Sequence, residues 1–143
     1  MILAVLCLTA CGSYEESKNE EKSCLYNSMY WGISKEDVIA EKGAPQSYVS
    51  DDIIQYDEQF IGTKCETQYC FNEGMLNKII VSGDTLYEYD DIKDMYVERF
   101  GEPVSEDVDD NDILITEWTK DDTVIRLTGG EKSFTYEAVY SLE

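Results

Sequence analysis

The stretch IIQYDEQFIGTKCETQYCFNEGMLNKIIV, residues 53–81, decides the reading of the fold. In its middle Cys65, Thr67, Tyr69 and Phe71 alternate with Lys64, Glu66 and Gln68, a period of two that puts the apolar side chains on one face of a strand. Asn72-Glu73-Gly74 has hairpin-turn composition. Three strands follow from this pattern, at Ile53–Phe60, 64–71 and 75–81.

Upstream, Ser34 stands at a helix N-cap with Asp37 three residues on, and Ile33 is placed to staple onto Val38. Gly43 and Pro45 stop that helix. The second half repeats the order. Thr85-Leu86-Tyr87-Glu88 reads as a capping box, and Leu86, Tyr89, Ile92, Tyr96 and Phe100 recur at helical spacing until Gly101 and Pro103. The Gly-x-Pro stop thus returns 58 residues later, since Gly43 and Gly101 differ by that number. Strand-like runs at 113–119, 123–127 and 133–140 follow, with turns at Lys120-Asp121-Asp122 and Thr128-Gly129-Gly130-Glu131. Phe134, Tyr136, Ala138 and Tyr140 form another apolar face. Helix and three strands, twice, indicates a duplication. The expected fold class is α+β: two tandem α-β-β-β repeats, 28–83 and 84–143, forming one antiparallel sheet with helices on one face.

The stretch Gly32-Ile33-Ser34-Lys35-Glu36-Asp37-Val38, with Gly43-Ala44-Pro45 after it, resembles the opening of the SmpA/OmlA (BamE-type) lipoproteins and of the β-lactamase-inhibitor-protein-like fold. The resemblance covers residues 30–82 and, more loosely, 84–140. It implies a non-enzymatic, extracytoplasmic binding protein and carries no named functional residue across.

Residues 1–10 are uncharged and mostly apolar, too few to span a bilayer as a helix. They read as the end of a lipoprotein signal peptide. Leu8-Thr9-Ala10-Cys11-Gly12 resembles the bacterial lipobox, which makes Cys11 the lipid-attachment residue and the membrane a partner through that lipid. The basic residues that usually precede such a run are missing, so the expected start codon lies further upstream. Residues 11–27 are polar and charge-rich, the composition of a solvated tether.

With 11 Lys plus Arg against 31 Asp plus Glu, the chain carries a formal charge of -20. Such a polyanion repels phosphate backbones and anionic lipid heads, so nucleic acid is not an expected partner. The absence of histidine removes Ser-His-Asp and Cys-His catalysis and every His-containing zinc site. No cofactor is implied.

Trp31 and Trp118 are candidate partner-binding anchors, because aromatic side chains dominate interface hot spots; the competing reading packs both between helix and sheet. Asp107, Asp109 and Asp112 lie in a dense acidic loop whose oxygens suit calcium, although Asp112 stands where an EF-hand needs glycine. A solvated turn is the competing reading. Cys65 and Cys70, five apart on one strand, face opposite ways and should not bond to each other. Cys24 is the candidate disulfide partner for either.

The function expected from these features is a membrane-anchored extracytoplasmic module that binds a protein or envelope component. The alternatives are a calcium- or other cation-binding surface module and a small carboxylate-dependent hydrolase.

Overall fold

The computed structural model of the chain describes Tyr26, residues 29–130 and residues 135–142. The apolar start, Cys11, most of the tether, Cys24 and Phe134 lie outside the described residues. Among those described, the elements run α1 (Lys35–Lys42), β1 (Ser47–Ser50), β2 (Ile53–Phe60), β3 (Thr63–Asn72) and β4 (Met75–Asp84), then α2 (Tyr89–Phe100), β5 (Ser105–Val108), β6 (Ile113–Lys120), β7 (Thr123–Gly130) and β8 (Thr135–Leu142). All eight strands join one antiparallel sheet in the order β1-β2-β3-β4-β8-β7-β6-β5.

This corrects the expected α+β class. The described chain is 57% strand and 18% helix, a mainly-β fold. Two short edge strands went unrecognised because neither carries an alternating pattern: Ser47–Ser50 and Ser105–Val108 are exposed at every residue. Each half is therefore a helix followed by four strands. The second helix is also shorter than its expected capping box implied. Thr85 Oγ1 accepts the Tyr87 N–H at 3.0 Å in a local turn. Helix α2 begins only at Tyr89, and Leu86 is exposed outside it. Thr128, Gly129 and Gly130, expected in a turn, continue β7 and pair with β6 and β8.

The helix ends follow from local chemistry. Ser34 Oγ accepts the Asp37 N–H at 3.1 Å at the start of α1. Gly43 and Gly101 close the two helices at φ +86° and +88°, a left-handed setting that glycine adopts without a Cβ clash.

Residues paired across an antiparallel ladder share a face, so the registers define both sides of the sheet. One side carries Ile54, Tyr56, Tyr69, Ile79, Val81, Ala138, Tyr140, Leu127 and Trp118, all buried. Both helices pack there. Tyr89 of α2 hydrogen-bonds Thr116 at 2.8 Å and the Leu127 carbonyl at 3.0 Å, and Tyr96 lies 5.4 Å from Trp118 between ring centroids.

The chain before α1 joins this core. Tyr26, placed at the end of the expected tether, is 3% exposed and packs 5.7 Å from the Tyr140 ring. Met29 and Ile33 are buried, and the Trp31 indole donates to Thr123 Oγ1 at 2.8 Å. Residues of the first half thereby reach strands of the second. No helix among the described residues is long and apolar enough to cross a membrane.

Candidate functional site

The opposite side of the sheet is lined by exposed and half-buried side chains. One row across it reads Asp57, Glu66, Ser82, Glu137, Thr128, Ile115 and Asp107, strand by strand from β2 to β5. The next row reads Gln55, Gln68, Ile80, Val139, Arg126 and Glu117. Carboxylates thus border a half-buried aliphatic centre, Ile80 beside Val139. Arg126 is committed to Glu117, donating from Nε at 3.1 Å and from Nη2 at 3.0 Å.

A shallow groove crosses the strands beside the acidic row. Its first part, about 320 Å³, is lined by Asp57, Lys64, Glu66 and the stretch Ser82-Gly83-Asp84. The second part, about 360 Å³, shares that stretch and continues past Glu137 and Thr128 to Gly130 and Ile113. Gly130, on the open side and opposite Ile113, raises no side chain from the groove floor. Gly83 instead faces the covered side with Cys65 and Tyr136, where an added Cβ would sit 2.9 Å from the Lys64 carbonyl oxygen. Asp57 and Glu66 stand directly opposite each other in the β2–β3 ladder, a like-charge pair that costs stability.

A second polar cluster lies on the covered side. Lys42, in the last turn of α1, places Nζ 2.7 Å from Glu58 Oε1. The Tyr69 hydroxyl donates to the same carboxylate at 3.0 Å. The ammonium also lies 5.2 Å from the Tyr69 ring centroid and 5.8 Å from that of Tyr56. Tyr56 in turn donates to the Gly43 carbonyl at 2.7 Å, and burial, with the nearby Tyr48 and Glu58 charges, raises its pKa. These contacts lock the end of α1 onto the sheet.

The expected site residues fall in different places. Trp118 is fully buried and donates from Nε1 to the Gly101 carbonyl at 2.9 Å, so it is a core residue and not an exposed anchor. Its place on the apolar side of β6 decides this. Trp31 is half-buried with its indole N–H engaged by Thr123. Asp109 closes the acidic loop as a turn: its Oδ1 accepts the N–H groups of Asn111 at 2.8 Å and Ile113 at 2.9 Å. Those bonds, Ile113 first, lower its pKa. Asp107 accepts from the following N–H of Val108, and Asp112 takes φ +59° in the same turn. Among the described residues no group of three acidic or cysteine side chains is placed to hold a metal ion.

Cys65 and Cys70 are free thiols on opposite sides of β3. Cys65 sits in the core, 3.9 Å from the Tyr26 hydroxyl. Burial pushes the Cys70 thiol up, with Lys78 opposing, so Cys70 stays protonated near neutral pH. The candidate pairing with Cys24 lies outside the described residues.

Neither the groove nor the Lys42–Glu58 pair follows from short motifs. Two signals bear on them: an acid at a core-facing place in the Ile54, Tyr56, Glu58, Phe60 alternation, and an open-side glycine, Gly130, in β7.

No family model and no curated protein matches the chain. Among solved structures it is similar to a DUF4309 family protein, YjgB, from Bacillus subtilis subsp. subtilis str. 168. The TM-score is 0.53 at 11% identity, over 77% of this chain and 78% of that one. At that identity the likeness concerns the fold alone.

Proposed function

We propose that the chain is a lipid-anchored, extracytoplasmic binding module that presents the uncovered side of its sheet to a protein partner. The observation that carries this reading is the division of labour between the two sides. Helices and the segment leading into α1 fill one side. The other keeps an open groove and an aliphatic centre bordered by charge, the arrangement of a polar-rimmed interface. The lipobox-like residues ending in Cys11 support the anchor, and the likeness of residues 32–45 to the SmpA/OmlA opening supports a binding role.

Two linked measurements test the proposal. Membrane fractionation of the full chain should retain it, and Cys11→Ala should release it; equal retention of both forms defeats the anchor. Photo-crosslinkers placed at Ser82 and Val139 in cells should give an adduct of one defined mass. The same probe at Asp91, exposed on α2, should not. Adducts that ignore the side of the sheet would defeat the binding surface.

A further inference from the structure

We infer that the open side of the sheet takes a basic, extended polypeptide segment, with its Lys or Arg side chains laid across the strands against Asp57, Glu66, Asp84 and Glu137. This inference rests on the binding-surface reading above and adds the chemistry of the partner.

Charge complementarity selects the occupant. Four carboxylates line the groove with Lys64 as the lone cationic side chain among its described lining. The whole chain carries -20, so a second copy or a nucleic acid is repelled. The carboxylates are also spread out. Glu66 and Glu137 are separated by β4, about 10 Å at the usual strand spacing. No three acids among the described residues converge on one point, which removes a single metal ion as the occupant. Spread charges call for a spread cation, and lysines at i and i+2 of an extended chain, about 7 Å apart on four-carbon stems, span that interval.

Shape agrees with this. The groove passes from β2 to β6, about 24 Å across the strands, the length of roughly seven extended residues. It runs across the ladder and not along an edge, so recognition comes from side chains and not from an added strand. Ile80 and Val139 give the apolar stems of Lys or Arg a surface to cover. The Asp57–Glu66 opposition is destabilising in the free protein, and a bound cation relieves it.

The test uses the full chain and a synthetic oligolysine peptide, followed by calorimetry at moderate and high salt. Glu66→Gln with Glu137→Gln should weaken binding about tenfold, the combined loss of two solvent-exposed charge contacts. Asp51→Asn with Asp91→Asn removes the same charge far from the groove and should change affinity less than about twofold. Equal weakening by both pairs would reduce the effect to net charge and overturn the inference. Spermine binding as tightly as the peptide would overturn it too, in favour of small cations. Should oligolysine fail to bind while the Ser82 photo-adduct persists, the basic partner is wrong and the docking surface stands. Loss of both removes the surface as well.

Discussion

Lys42 and Glu58 occupy in the first half the places that Phe100 and Trp118 occupy in the second. Lys42 and Phe100 each precede the glycine that closes their helix. Aligning the hairpin-closing pairs, Phe60 with Thr63 and Lys120 with Thr123, superposes Glu58 on Trp118. One helix end is therefore fixed by an ion pair and the other by aromatic packing through Tyr96, which lies 5.6 Å from Phe100 and 5.4 Å from Trp118. The ion-paired side chains are only 15% and 12% exposed, so the pair offsets a desolvation penalty that an apolar pair never incurs. Lys42→Met leaves a mostly buried carboxylate without its cation and should cost about 2 kcal/mol in urea unfolding. Lys42→Met with Glu58→Leu should recover most of that loss, because removing both charges is close to neutral. A double variant as unstable as the sum of the singles would show that the two side chains act independently.

At the scale of elements, legibility depended on whether each residue's role was written in a period. Strands β2, β3 and β8 alternate cleanly, so the buried sides of Thr67, Tyr69, Ala138 and Tyr140 were readable. Helix α1 was readable from Ser34 and Gly43 because capping is local chemistry. Strands β1 and β5 were not, since an edge strand with four exposed residues has no face to conserve a pattern for. The Gly129-Gly130 pair misled for a related reason. Glycines read as a turn, but Gly129 is short so that the Tyr89 ring can lie flat on β7: an added Cβ would sit 2.9 Å from Tyr89 Cδ2. That close approach lets Tyr89 reach Thr116 and the Leu127 carbonyl and pins α2 to the sheet. Gly129→Val should therefore lower stability by about 1–3 kcal/mol through overpacking. Combining it with Tyr89→Ala, which vacates the space, should make the second substitution less costly than Tyr89→Ala is alone, as read from paired melts. Strict additivity would place the clash elsewhere.

Over the whole molecule, the halves share one sheet, and tyrosines pack across the seam between them. The sequence pattern indicated two units in an antiparallel sheet, but not that β4 and β8 are the strands that join them, nor that aromatic rings pack across that seam. Phe60 lies 5.2 Å from Tyr136 and 6.3 Å from Tyr96, joining the first half to the second, and Tyr26, before the first repeat, lies 5.7 Å from Tyr140 of the second. Long-range packing of this kind leaves no trace in local periodicity. It does leave one in titration. Burial raises Tyr140 to about 12, with its hydrogen bond to Tyr96 and the Arg99 charge opposing the rise. Burial likewise drives Tyr26, Tyr96 and Tyr136 above the ordinary value of 10. A group whose folded pKa lies above its unfolded one stabilises the fold below the unfolded value, and that stability is lost as pH rises through the folded one. From pH 10 to about 12 the unfolded chain ionises Tyr140 while the folded chain keeps it neutral. Each unit in that window costs about 1.4 kcal/mol for every tyrosine so held. Because these rings bridge both halves, their tyrosinate absorbance should appear in one step, together with loss of the far-ultraviolet strand signal and of Trp118 fluorescence in the second half. Separate steps, or ionisation of these rings near pH 10 in a chain that stays folded, would mean that the two halves unfold independently or that the cross-half aromatic core is open to water.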